Sequence, residues 1–190
     1  RSGLGANFIR AGLAKGNSGG AAGLEGAEAI LAGSCSSATR KQVEIHSRNH
    51  PSLPIDVHSV IAGETTADTL IAFLTGHQGK APLVYSSGTP QEVGALQDRY
   101  GRQVVADRLD ALFAETAQKL VASGIRRLVV AGGETSGAVV SALDLGALTI
   151  GPEIDPGVPV LFSGGDLPIA LALKSGNFGA PDFFTKALER

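Results

Sequence analysis

The chain has 190 residues, 43% of them hydrophobic and 18% charged, a composition that suits one globular domain with a substantial core and argues against disorder. Its 16 basic and 18 acidic residues leave a net charge of -2 and no dense Lys/Arg cluster, so neither nucleic acid nor an anionic membrane is an expected partner. With a single cysteine, Cys35, no internal disulfide can form, and no apolar run approaches the ~18 to 20 residues needed to span a bilayer, so a reducing, cytoplasmic setting is expected.

In chain order, residues 1–24 are rich in glycine and lack periodicity, and read as a linker or docking segment ahead of a domain covering 25–190. The chain begins at Arg1 and holds no methionine, which leads us to expect a piece of a longer protein. Ala27–Ala32 reads as a strand, Gly33–Ser37 as a loop of small residues, and Ala38–His46 as a helix. His46 and His50 are spaced i, i+4, but Pro51 ends any helix and no third ligand is evident, so a helix-end histidine is the better reading and no metal ligand is assigned. Segment 47–66 carries no clear pattern. Ala81–Tyr85 reads as a second strand, Ser86–Thr89 as its loop, and the stretch from Pro90 as a helix, with Thr89 as cap and proline at the first helical position.

Leu109, Leu112, Phe113, Thr116, Leu120 and Val121 recur at helical spacing, which predicts a helix over 107–123 closed by Gly124. Leu128–Val130 then reads as a buried strand, Gly132–Gly137 as a loop, and Ala138–Leu143 as the start of a helix. Ala147–Ile150 and Val158–Phe162 are short strands around a turn-rich Gly151–Gly157, and Pro159 puts the second at an edge or at its own start. Ile169–Lys174, Ser175–Gly179 and Pro181–Leu188 repeat strand, loop and helix once more. Four such units predict an α/β fold, a mainly parallel sheet flanked by helices, with the glycine-rich loops gathered at the C-terminal edge of the strands.

That edge is where ligands bind. Glycines let backbone N–H groups come close to a ligand, and a helix start directs its positive dipole end at the same spot, which suits a phosphate. The alternative is that small residues only make tight βα connections, a reading that weakens as such loops accumulate. No Gly-x-x-x-x-Gly-Lys-Ser/Thr and no Gly-x-Gly-x-x-Gly after a strand occurs, which sets aside the Walker and dinucleotide fingerprints. Lys174 stands either as a counter-charge for a triphosphate or as a snorkelling surface lysine. Glu134 serves a metal-bound water, a sugar hydroxyl or only the helix start, and Asp182 faces the same choice. Cys35 reads as a packed thiol, since no partner for a nucleophile is identifiable.

Taken together, Gly33–Ser36, Tyr85–Ser87, Val130–Gly137, Ile150–Gly157, Leu173–Gly179 and Asp182–Phe184 resemble the four-carbon acid sugar kinase family in its C-terminal nucleotide-binding domain. The resemblance runs from roughly Gly33 to Leu188 and departs at Phe162–Asp166. It implies an ATP-dependent, Mg²⁺-assisted kinase acting on 3-oxo-tetronate or threonate-like acids, whose N-terminal substrate domain is not in this chain, so that the piece alone would bind nucleotide without turning over. It also implies that Ser34, Ser36, Gly132, Gly133, Glu134, Thr135, Ser136 and Gly137 surround the nucleotide together with Lys174, Ser175, Gly176, Asn177 and Gly179; it assigns no catalytic base. A nicotinamide-dependent oxidoreductase and a non-catalytic ligand-sensing module are the alternatives.

Overall fold

The computed structural model describes residues 24–164 and 168–189; the expected linker lies outside them except for Leu24. Seven strands form one sheet in the order β2-β3-β1-β4-β7-β6-β5, with β1 at Ala27–Ala32, β2 at Ser52–Pro54, β3 at Leu83–Tyr85, β4 at Ile125–Ala131, β5 at Leu148–Asp155, β6 at Val158–Ser163 and β7 at Ala170–Lys174. The five strands from β2 to β7 are parallel, and β6 and β5 extend the sheet antiparallel.

Side-chain alternation builds two cores. Ala29, Leu31, Leu128, Val130 and Leu171 face one side, whereas Ile30, Ala32, Val129, Ala131, Ala170 and Ala172 face the other. The first side is covered by helices α2 (Val57–Ala62), α3 (Ala67–Gly76), α5 (Arg102–Ala122) and α6 (Gly133–Leu143). The second is covered by α1 (Ser37–His46) and α7 (Phe183–Leu188), through Val43, Phe183 and Phe184. Buried on both faces, the central strands read as unbroken apolar runs, as parallel strands do.

Helix α4 (Pro90–Tyr100) begins as its sequence predicts: the Thr89 hydroxyl accepts from Glu92 N, Glu92 Oε2 accepts from Thr89 N at 2.7 Å, and Pro90 occupies the first turn. Replacing Thr89 with alanine is expected to lower stability by about 1 kcal/mol, seen as a reduced urea midpoint at unchanged slope.

Several boundaries differ from expectation. Helix α5 starts five residues earlier than predicted, at Arg102, immediately after Gly101, which is left-handed (φ +86) and separates it from α4. Strand β5 runs through Gly151–Asp155, which read as a turn; the turn itself is only Pro156-Gly157, with Gly157 at φ +82. Pro152 is tolerated because β5 is the outermost strand and its pairing with β6 shifts between Ile150 and Glu153. Pro159 lies near the start of β6, an interior strand, so it marks a start and not an edge. Segment 47–66 supplies β2 and α2. The Phe162–Asp166 departure falls on the end of β6 and, from 165, outside the described residues.

His46 closes α1. Its Nε2 meets the Ala81 carbonyl at 2.8 Å and its ring stacks on His50, and burial pulls it down to about 4. Among the described residues no helix is long and apolar enough to cross a membrane.

Candidate functional site

Register decides the site. Ala32 is level with Tyr85 on one side and Ala131 on the other, and Ala131 is level with Lys174, so four strands end side by side and release their loops at one height. Each loop then ties to its neighbour's strand end. Ser86 N donates to Ala32 O at 2.9 Å, Gly33 N and Ser34 N both donate to Ala131 O at 2.9 and 3.1 Å, and Gly132 N donates to Lys174 O at 2.9 Å. The Ser87 hydroxyl adds a bond to Ser34 O at 2.6 Å. The predicted clustering of Gly33–Ser37, Ser86–Thr89, Gly132–Gly137 and Ser175–Gly179 is therefore realised.

The third of these is mostly not a loop. Helix α6 begins at Gly133, so Glu134, Thr135, Ser136 and Gly137 form its first turns. Glycine penalises a helix in isolation, but burial of Thr135 and Val139 against the sheet outweighs that. The junction is Gly132, whose φ of +137 suits glycine and whose missing side chain leaves room for Ser34 N, 3.1 Å from where a Cβ would stand.

Helix starts at this edge differ in one respect. Ser36 caps α1 by accepting from Thr39 N, and Thr89 caps α4, whereas Gly132 has no side chain with which to cap α6. Among the described residues no side chain caps the start of α6, and its Gly133, Glu134 and Thr135 line a cleft of about 370 Å³. One wall of the cleft is polar, made by Gly33, Ser34 and Gly132–Thr135. The lining from α2, α4 and α5 is mixed: Val57, Val93, Leu96, Val105 and Leu109 are apolar, and Gln97, Arg102 and Asp110 are polar or charged.

Of the residues expected around a nucleotide, Ser34, Gly132, Gly133, Glu134 and Thr135 line this cleft; Ser136 and Gly137 continue along α6 away from it, the Ser136 hydroxyl buried without a partner among the described residues. Ser36, Lys174, Ser175, Gly176, Asn177 and Gly179 stand behind Ser34, outside the cleft wall. Gly176 packs on Ser34 and Ser36, its carbonyl accepts from Ser36 and from Thr39, and Gln42 Nε2 faces the carbonyls of Phe178, Gly179 and Ala180 at 3.0 to 3.1 Å. Lys174 is no surface lysine: it is 1% exposed, and its ammonium is turned inward. Asp182 pairs with Lys186 across one turn of α7 and makes no cap bond. Cys35 lines the cleft, its thiol toward Ser86 O.

Asp110 escaped the sequence reading. It sits on α5 within the run read as a helix, and it lines the cleft beside Glu134 and Thr135. Burial first, then the charges of Glu134 and Asp107, push its carboxyl above the usual range, while a hydrogen bond with the Thr135 side chain opposes the shift. The one available signal was an acid placed beside Leu109 and Leu112 on an otherwise buried face.

A family described as the nucleotide-binding C-terminal domain matches residues 29–184. The chain belongs to this family. It is 48% identical over 166 residues to the 3-oxo-tetronate kinase of Pseudomonas fluorescens, covering 87% of this chain and 38% of that protein. It is 46% identical over 191 residues to the 3-oxo-tetronate kinase of Cupriavidus necator, covering 99% of this chain and 44% of the relative. The domain spans about two fifths of the length of the curated relatives it matches. Among solved structures, Haemophilus influenzae protein HI1011 superposes with a TM-score of 0.83 at 37% identity, over 87% of this chain and 40% of that one. A Salmonella typhimurium LT2 crystal structure gives a TM-score of 0.81 at 38% identity, over 86% and 40%. The α/β fold and the expected family resemblance are thereby established, and the cleft of this domain lies where the loops after β1, β3 and β4 meet.

Proposed function

We propose that this domain holds ATP for a kinase that phosphorylates a four-carbon sugar acid, 3-oxo-tetronate or a threonate-like compound. The acid is expected to be carried mainly by an N-terminal domain that this chain does not contain. The observation that carries the reading is the uncapped start of α6 in a cleft that also presents apolar side chains, Val93, Leu96 and Val105 among them. The base packs on Val93, Leu96 and Val105, and the phosphates meet the N–H groups of Gly133–Thr135 and the Ser34 hydroxyl. Transfer then joins an alcohol oxygen of the acid to the γ-phosphorus as its bond to the β–γ bridging oxygen breaks; ADP leaves with the electron pair and the alcohol's proton is released to solvent.

Magnesium fits this donor set. Asp110 and Glu134 offer hard carboxylate oxygens at the polar end of the cleft, and Mg²⁺ is commonly taken by one or two carboxylates together with substrate phosphates. When bound it would offset phosphate charge; Thr135 keeps Asp110 oriented. The relatives' names support the substrate class, and the single half-buried cysteine supports a reducing, cytoplasmic setting.

Thermal denaturation tests the reading. Mg-ATP at about 100 times its dissociation constant should stabilise the chain by ~2.7 kcal/mol, with NAD silent. Alkylation of Cys35 by N-ethylmaleimide should slow in parallel as the cleft fills. No shift with Mg-ATP, or a shift with NAD alone, would reject the proposal.

A further inference from the structure

Helix α5 presents one continuous face to the cleft. Arg102, Val105, Leu109 and Asp110 recur along it at helical spacing and all line the cleft, so the lining passes from a cation through apolar side chains to a carboxylate over about 12 Å. The carboxylate end is shared with Glu134 and the start of α6. The cation end is the elbow at Gly101, where α4 meets α5, and there α4 adds Val93, Leu96 and Gln97, spaced i, i+3 and i+4 on one of its own faces.

That face of α4 is not packed into the core: none of the helix's residues is buried, and Val93, Leu96 and Gln97 are each half-exposed. The helix is nevertheless held at both ends, by its capping box and Pro90 at the start and by Gly101 N, which donates to Gln97 O at 2.8 Å, at the finish. Gln97 thus reaches the cleft from a fixed backbone, while its carboxamide bonds to no other described residue.

A carboxamide carries a donor and an acceptor side by side in one plane. Among the described side chains at the elbow end, Gln97 alone offers that pair: Arg102 only donates, and Val93, Leu96 and Val105 do neither. Backbone carbonyls inside these helices are already taken by helical N–H groups. A flat ring resting on Val93, Leu96 and Val105 is therefore matched if its edge sets an amine next to an unprotonated ring nitrogen, which is the edge of adenine that glutamine pairs with bidentately.

We propose that Gln97 is the specificity-determining residue for the base: its Oε1 accepts from the exocyclic amine of adenine and its Nε2 donates to the adjoining ring nitrogen. This rests on the ATP-binding reading and adds which end of the nucleotide lies at Gly101 and which group reads it. The phosphates stay at the other end of the α5 face, beside Asp110, Glu134 and the start of α6.

The test is calorimetric titration of the full chain with Mg-ATP and with the magnesium complex of purine riboside triphosphate, which lacks only the exocyclic amine. The unaltered chain should prefer ATP by about five- to tenfold, the worth of one hydrogen bond. Gln97→Leu, which keeps a good helix former at this position, should bring the ratio to about one by weakening ATP alone. Gln91→Leu, on the exposed side of α4 and outside the cleft, should keep the preference. Equal affinities in the unaltered chain would overturn this inference and leave the ATP reading standing, as would a preference that survives in Gln97→Leu or vanishes in Gln91→Leu. Failure of the unaltered chain to bind either nucleotide would overturn both.

Discussion

Replacing Gly33 with alanine is expected to weaken Mg-ATP binding by at least tenfold and to destabilise the fold by about 1 to 3 kcal/mol, the usual range for forcing atoms into a packed interior. A Cβ at this position would stand 2.1 Å from the Thr135 hydroxyl, 3.1 Å from its Cβ and 3.2 Å from Cε2 of Phe113. Neither neighbour can retreat readily. Phe113 is fully buried in the core between the sheet and α5, and Thr135 is nearly so, with its side chain bonded to Asp110. Relief has to come from moving the start of α6, which carries the N–H groups assigned to phosphate, so stability and affinity fall together. Calorimetric titration and thermal melting measure both, at roughly 2 to 4 °C per kcal/mol for a chain of this size. Gly94→Ala is the control: it lies inside α4, meets nothing within 4 Å and should change neither quantity adversely. A Gly33→Ala protein that melts and binds like the original would show that these two loops do not pack as described.

Replacing Arg127 with alanine is expected to cost about 3 to 5 kcal/mol, because it strands a buried carboxylate. Glu28 on β1 is almost wholly buried, and it accepts from Arg127 Nη2 at 2.9 Å and from Ala81 N at 3.0 Å. Arg127 also donates to Gly26 O at 3.1 Å and to the carbonyl of Leu188, so one guanidinium joins β1, β4 and the end of α7. Lysine cannot reproduce this, since a point charge lacks the planar fork that serves several acceptors at once. The effect is confined to stability: Arg127 sits near the start of β4, whereas the cleft lies beyond its other end at Ala131. Urea unfolding should show the loss, and Mg-ATP affinity below the transition should stay within a factor of about two. A loss under 1 kcal/mol would place the pair in the range of solvent-screened surface bridges.

Much of the fold was legible because its signals are local. The apolar runs at 27–32 and 128–130, the Thr89-Pro90 helix start and the spacing of Leu112, Phe113 and Leu120 each rest on residues a few positions apart, and each appears where expected. Boundaries were misread where glycine or proline obeys tertiary context over propensity. Gly133 and Gly137 enter α6 because Thr135 and Val139 are buried beneath them, and Pro152 enters β5 because an outermost strand needs no donor there. The apolar part of the cleft lining was not legible, since Val57, Val93 and Val105 come from three helices and each reads alone as ordinary core. Asp110 was hidden for the same reason.

The chain by itself determined that successive strands pass into loops of small residues and then helices, and hence that those loops gather at one edge suited to an anion; their ordered motifs also pointed to the family. Only the tertiary structure decided what that edge can hold. Cross-strand register sets Tyr85, Ala32, Ala131 and Lys174 level, the helix starting at Gly133 leaves its first N–H groups uncapped, and Lys174 turns inward onto Thr39 and Gly176 instead of outward to water. The register and the Lys174–Thr39 contact join residues roughly 40 to 140 positions apart in the chain, which no local pattern of side chains encodes.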